Sequence, residues 1–315
     1  MRIIILGPTA SGKTELSLQL AKELGTSIIS ADSRQCFSMI DIGTAKPSAE
    51  ELERIQHYNI SNLSLDAEDS AIQFHRRAIS WEKEILKHSD HVIYVGGSTL
   101  HIQSLIQPFQ NVPDSNKENI SELTHRIEKE GIQSLYNQLK NIDPDYVSKM
   151  DGMNRQRIIR ALDVWMQTGK PFSSFHNEKA LHLDTNTLVF GIDYPREQLY
   201  ERINLRVDSM IKSGLEQEVR TILDSGFSKH LQALQTVGYR EIIAHLEHIY
   251  SQEIMIEKIK TNSRRYAKRQ LTWFRRWKFI HWFNAELLSS EEMKKEICIQ
   301  LQKLLVKIQK KHPSP

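Results

Sequence analysis

One octapeptide constrains this chain more than any other feature. Residues 7–14 read GPTASGKT, a G-x-x-x-x-G-K-[ST] phosphate loop. It follows RIIIL (2–6), a short β-branched apolar run with the pattern of a buried parallel strand. It precedes 13–24, where Leu16, Leu18, Leu20, Ala21 and Leu24 carry a helical pattern that Gly25 stops. Strand, loop and helix in that order are the context in which such a loop binds phosphate. Gly7 and Gly12 let the backbone wrap closely around phosphate oxygens. With Pro8, Thr9, Ala10 and Ser11 they form a cradle of N–H groups at a helix N-terminus. Lys13 adds a cation, and Thr14 offers a hydroxyl to Mg²⁺. The motif selects a di- or triphosphate group without saying which molecule carries it.

The alternation continues. SIISA (27–31) reads as a second strand ending at Asp32, residues 70–87 as a long helix, and HVIYV (91–95) as a third strand stopped by Gly96 and Gly97. This spacing predicts an α/β fold, a P-loop NTPase-like three-layer parallel sheet. From about 110 the periodicity is helical only, with turn signals at Gly131, Asp143-Pro144 and Asp151-Gly152 and an N-cap at Asn154. TLVFGID returns to a strand pattern at 187–193. Residues 196–277 are mainly helical, and FIHWF (279–283) suits one last strand. The expected organisation is a catalytic core of 1–109 and 181–315, with a helical insertion at 110–180.

Composition excludes several classes. No apolar run approaches the ~18–20 residues of a membrane helix. Two cysteines cannot make a disulfide framework or a Cys-rich zinc site. A cytoplasmic, monomeric protein without membrane association is expected. The net charge of +3 says little, but its distribution says more. Residues 257–278 hold nine Lys or Arg against one acid, with four aromatics interleaved, the footprint of a nucleic-acid surface. On a helix Tyr266, Gln270, Trp273 and Trp277 form one stripe facing the core. Arg265 and Arg269, with Lys268 on the adjacent stripe, face RNA phosphate. The H-x-x-H pairs His88/His91 and His245/His248 have no cysteine near them and are not read as metal sites.

A P-loop ATPase places an acid after a second apolar strand to hold Mg²⁺. HVIYV is followed by Gly96-Gly97-Ser98 instead, which weighs against ordinary ATP hydrolysis. Asp32 ends the other early strand and faces the same crevice as the phosphate loop. Its carboxylate serves either to cap a turn or to accept a proton, and the residues alone leave both open.

Several motifs in order then become specific: GPTASGKT, ADSRQ (31–35), DIGTAKP (41–47), VGGS (95–98), NRQRIIRALDV (154–164), LYERINLRVDSMIKSGLEQEV (199–219), VGYREI (237–242) and SRRYAKRQLTWFR (263–275). Over about residues 1–283 the chain resembles the tRNA dimethylallyltransferases. The resemblance implies transfer of a dimethylallyl group from dimethylallyl diphosphate to N6 of the adenosine 3′ of the anticodon, in tRNAs reading codons that begin with U. It implies that the phosphate loop holds the prenyl diphosphate with Mg²⁺, not ATP. Asp32 matches the catalytic aspartate of the family. Ser98 matches a Thr or Ser that orients the reacting groups, and Arg206 an arginine at the diphosphate. Asp32, Ser33, Arg34 and Gln35 match the segment holding the flipped adenine, and Gln156, Arg157, Ile158, Ile159 and Arg160 a second tRNA-contacting segment.

The chain departs from the family pattern in places. Thr99 and His101 replace Gly and Tyr after the paired glycines, Ser61 replaces an acid, and Ile120 stands near a usual Arg. Lys46 serves either the phosphates or the fold. Two rivals differ in kind: a P-loop small-molecule or nucleoside kinase, with 116–170 mistaken for its lid, and an RNA-binding nucleotide switch without chemistry. Replacing Asp32 by Ala separates the switch from the transferase. A transferase loses about 10²-fold or more in turnover while filter binding shows tRNA still held; a switch keeps its function.

Overall fold

The computed structural model describes residues 1–108, 112–175 and 183–311. The chain divides into two compact units. One comprises Met1–Ile106 and Leu183–Pro315, the other Gln107–His182. The expected junctions at 109/110 and 180/181 lie outside the described residues.

In the first unit the elements begin as the sequence predicts: β1 (Arg2–Leu6), α1 (Lys13–Leu24), β2 (Ile28–Ser30), α2 (Ala49–Arg54), β3 (His57–Tyr58), α3 (Ala71–Ile85), β4 (Val92–Gly96) and α4 (Thr99–Ile106). The insertion supplies α5 (Lys117–Glu130), α6 (Ile132–Ile142), α7 (Pro144–Ser148) and α8 (Arg155–Thr168). The chain returns with β5 (Thr187–Asp193), α9 (Arg196–Lys212), α10 (Leu215–Asp224), α11 (Tyr239–Leu246), α12 (Gln252–Phe274), β6 (His281–Asn284) and α13 (Ser290–Lys311).

The six strands form one sheet in the order β3-β2-β4-β1-β5-β6, and every pairing is parallel. Alternation along the strands sends side chains to two helical layers. Ile3, Ile5, Ile93, Phe190 and Ile192 pack with Leu16 and Leu20 of α1 and Ile297 and Leu301 of α13. Tyr94 points to the opposite face, where its hydroxyl donates to Glu82 Oε2 (2.5 Å) on α3. Arg2 pairs with the same carboxylate at 2.8 Å and donates to the Leu105 carbonyl at 3.0 Å. This is the three-layer α/β arrangement expected. A separate apolar cluster joins α9–α12 around the fully buried Tyr239, Leu215, Val219 and Ile259.

Three local expectations shift. β3 carries too short an apolar signal to read from HYNIS, and it forms because β2 offers an open edge. The last strand starts at His281, two residues late. α12 ends at Phe274, so Trp277 leaves the helical stripe and instead buries itself against Phe274 in the turn that follows.

The insertion has its own core of Leu123, Leu135, Leu139, Ile158 and Leu162. Asn154 caps α8 by accepting from the Arg157 amide at 3.1 Å, and Gly169 ends it with φ 66°. Among the described residues no helix is long and apolar enough to cross a membrane.

The Arg2–Glu82–Tyr94 cluster ties the central strands to α3. Replacing Arg2 by Ala strips the half-buried Glu82 of its cation. We expect a loss of roughly 2 kcal/mol, less than for a wholly buried pair because solvent reaches part of it. A lowered urea midpoint at unchanged slope checks this.

Candidate functional site

Parallel pairing puts the carboxyl ends of all strands on one edge of the sheet, where α/β folds bind ligands. The phosphate loop leaves β1 there, Asp32 follows β2, and Gly96-Gly97 ends β4. A cavity of about 390 Å³ opens at this edge. Among the described residues, Asp32 is its one carboxylate, against Lys13, Arg34, Arg206, Arg240 and Arg269. One stretch of its wall is apolar, from Ile203, Val207, Met210, Leu215 and Ile259. The cavity therefore suits an anion joined to an apolar group.

The loop is shaped for a phosphate. Gly12 has φ 85°, a left-handed conformation that costs a side-chain-bearing residue, and it starts α1 with no side-chain cap. The first-turn N–H groups thus point outward without a side-chain partner. At Gly7 a Cβ would meet the Ile192 carbonyl at 2.7 Å, so β5 presses against the loop there. Lys13 Nζ folds back onto the Pro8 carbonyl at 2.5 Å and lies 3.4 Å from Ser11 Oγ.

Two side chains from the distant helices set the loop. Gln270 accepts from the Thr9 amide at 3.1 Å and donates to the Gly97 carbonyl at 2.8 Å. It clamps the β1 and β4 loops together from α12, although its stripe position suggested only a core residue. Arg202 lies over the Tyr194 ring and donates to the Ala10 carbonyl at 2.9 Å. Its position one turn before Arg206 was the available signal.

Asp32 caps a turn, the first of the two roles left open. Its Oδ1 accepts from the Arg34 amide (2.8 Å) and the Gln35 amide (3.3 Å), which fixes the turn. Oδ2 takes no part in that turn. The charge on Asp32 is felt by Lys13, Arg206 and Tyr266. Burial, then Asp32, pushes the Tyr266 phenol up to about 12, so it stays neutral at the cavity wall.

The remaining expected residues fall into three groups. Thr9, Lys13, Thr14, Asp32, Ser33, Arg34, Gln35, Arg206 and Arg269 line one cavity. Within this group Gln35 has its amide committed, accepting from Ser30 Oγ at 2.8 Å and donating to the Thr44 and Ala45 carbonyls. Ser98 does not line the cavity; it follows Gly97, which does, and is 9% exposed. Arg265 and Lys268 lie exposed on α12. In the insertion, Gln156 and Arg157 are exposed, Ile159 is half-buried, and Ile158 is fully buried. The Ile158 side chain belongs to the helical core, a correction to its reading as a contact. Arg160 pairs with buried Asp163 at 2.7 Å and donates to the Pro113 carbonyl, so it holds its own fold together as well.

Lys46 also resolves. Its ammonium donates to the Phe37 carbonyl (2.6 Å), Asp41 Oδ1 (2.6 Å) and Ser61 Oγ (2.8 Å), and it lies outside the cavity wall. It serves the fold. Ser61 keeps a hydrogen bond where the family has an acid, and Asp41 supplies the charge.

Fold and cavity together define a P-loop-type α/β protein with a cavity suited to a phosphorylated, partly apolar ligand. The family model described as IPP transferase matches residues 35–277, and the chain belongs to this family. It is 39% identical over 301 residues to the tRNA dimethylallyltransferase of Clostridioides difficile, covering 95% of this chain and 96% of that protein. It is 41% identical over 291 residues to that of Alkaliphilus oremlandii, covering 92% and 93%. Among solved structures, the tRNA delta(2)-isopentenylpyrophosphate transferase of Staphylococcus epidermidis superposes with a TM-score of 0.70 at 38% identity, covering 96% and 98%. A eukaryotic dimethylallyltransferase acting on tRNA gives 0.76 at 27% identity, covering 90% of this chain and 74% of that one.

Burial first, and then the Arg206 charge, pull the Lys13 ammonium down to about 7, with Asp32 opposing them. The native chain thus loses this proton before the unfolded chain does. The Lys13 contribution to stability therefore rises with pH between about 7 and the ordinary lysine range. A bound diphosphate favours the ammonium. At pH 8 binding should take up a proton at Lys13, and affinity should fall as pH rises above about 7. Calorimetry of inorganic diphosphate in buffers of different ionisation enthalpy reads this uptake; Lys13→Met should lack it.

Proposed function

We propose that this chain transfers a dimethylallyl group from dimethylallyl diphosphate to N6 of the adenosine 3′ of the anticodon, in tRNAs reading UNN codons. The observation that carries the reading is a single cavity holding a phosphate loop, an apolar wall and one carboxylate. The family membership supports the same chemistry. A nucleoside kinase would use the same loop, but here β4 ends in glycines rather than in a Mg²⁺-binding acid.

The diphosphate would lie along the N–H groups of residues 7–14, with Lys13 and Arg206 on its oxygens. These groups stabilise the charge that grows as the C–O bond breaks. The apolar wall would take the five-carbon chain and keep water from the allylic carbon. Asp32 would receive the N6 proton on Oδ2. An adenine amine becomes acidic only as its bond to carbon forms, so a held carboxylate suffices.

Mg²⁺ fits this donor set. Among the described residues no three His, Cys, Asp or Glu side chains cluster as a metal cage. Mg²⁺ is commonly held by substrate phosphates with few protein ligands. Thr14, at the loop and in the cavity wall, would supply a hydroxyl. The ion would neutralise charge on the departing diphosphate.

The adenine must leave its stack to reach Asp32, at a cost of a few kcal/mol. Ser33 and Arg34 beside Asp32 would hold it, and Arg265, Lys268 and Arg269 would meet the anticodon stem-loop phosphates. We assign Gln156, Arg157 and Arg160 of the insertion a second tRNA contact. The protein would act as a cytoplasmic monomer.

The test uses unmodified tRNA, Mg²⁺ and labelled dimethylallyl diphosphate, with γ-labelled ATP in a parallel tube. Prenyl label should enter the tRNA while ATP stays intact. Phosphate leaving ATP with no prenyl label in RNA would overturn the proposal.

A further inference from the structure

Ser98 is the start of a buried polar chain that the chemistry above leaves unused. Its Oγ lies 2.9 Å from His101 Nδ1, three residues on in α4. The imidazole is 5% exposed and packs on the Phe74 ring, with centroids 4.3 Å apart. Its Nε2 has no hydrogen-bond partner among the described residues, yet it lies 3.8 Å from Asp69 Oδ2. Asp69 is fixed in turn. Its amide and carbonyl bond both ends of the Gln232 side-chain amide, and Oδ2 accepts from Arg77 at 2.9 Å. Burial pushes the Asp69 carboxyl up, but the His101 imidazole and the Arg77 guanidinium beside it outweigh burial and hold it below the ordinary carboxylate range.

A carboxylate on the Nε2 side draws the imidazole hydrogen to Nε2 and leaves Nδ1 as an acceptor. A serine hydroxyl has one hydrogen. If that hydrogen goes to Nδ1, Ser98 Oγ offers only lone pairs elsewhere. Asp32 Oδ2 is also an acceptor, and the two residues are neighbours across the sheet. β2 and β4 pair with Ser30 opposite Val95, and the Ser98 amide donates to the Ala31 carbonyl at 3.3 Å.

We propose that His101 is a positioning residue: it takes the Ser98 hydroxyl hydrogen, so that Ser98 Oγ and Asp32 Oδ2 form a pair of acceptors for the two hydrogens of a primary amine. The pair selects an NH₂ group and holds it at the carboxylate. One N–H hydrogen is lost to Asp32 as the N–C bond forms, and the other stays on nitrogen, bonded to Ser98. In this state Ser98 makes no donor bond to the diphosphate. The inference rests on the assigned reaction and on the acceptor amine reaching Ser98, which adjoins Gly97 of the cavity wall without lining the cavity itself.

Two measurements test it. In protein labelled with ¹⁵N-histidine, the His101 ring, identified by its loss in His101→Asn, should show hydrogen on Nε2 and a bare, accepting Nδ1. Hydrogen on Nδ1 overturns the proposal without any assay of activity. In steady-state transfer to tRNA, His101→Phe should lower kcat about tenfold, the scale of one lost hydrogen bond, with KM for dimethylallyl diphosphate unchanged. His101→Asn, whose carbonyl can stand near the place of Nδ1, should recover most of that loss. In a Ser98→Ala background His101→Phe should cost nothing further. Additive losses, or a raised KM for the diphosphate, overturn the proposal. If the unaltered protein transfers no prenyl group, the assigned reaction fails instead, and the histidine spectrum still reads the tautomer.

Discussion

Everything at the site depends on parallel strand pairing around β1. Parallel register places every strand's carboxyl end on one edge, so each loop that leaves the sheet there can meet the others. The phosphate loop, Asp32 and the glycines after β4 share a cavity for that reason. A register slip would turn Ile3, Ile5 and Ile93 away from α1 and α13, so the hydrophobic face that stabilises the sheet also fixes the site.

Around this frame, polar side chains buried between elements hold the loops. Gln270 bridges Thr9 and Gly97, and Glu218 accepts from the Asp41 and Ile42 amides at 2.9 and 2.8 Å and from the Tyr239 hydroxyl at 2.5 Å. Lys46 gathers Phe37, Asp41 and Ser61. Backbone polar groups in loops need partners once water is excluded, and these side chains supply them. The cavity is thereby built before any ligand enters, which suits stabilisation of developing charge by fixed dipoles.

The charge pattern follows from the same construction. Cations outnumber the single carboxylate in the cavity wall, and burial pulls Lys13 down toward neutrality. An anionic ligand relieves that strain by pairing with the ammonium, so binding and protonation are linked. Among the described residues Asp32 is the one negative charge in that wall, turned by two backbone amides into a fixed direction.

The features legible in the sequence were those written in neighbouring residues. RIIIL followed by GPTASGKT dictated strand, phosphate loop and helix, and alternating patterns to residue 95 dictated a parallel α/β sheet. Asn154 and Gly169 marked the ends of α8 because capping is local. The two-residue β3 escaped notice because an edge strand that short exists only when a neighbour offers its backbone. Ile158 looked like part of a contact motif until the insertion's core claimed it. The bond from Gln270 to Thr9 spans 261 positions, and Ser61, Asp41 and Lys46 declare their common purpose only when brought together. By itself the sequence determined the elements, the phosphate loop and the family resemblance, because those rest on local stereochemistry and hydrophobic period. Tertiary structure alone decided which polar atoms are taken up by the fold and which remain for a substrate, because hydrogen bonds between distant segments leave no periodic trace.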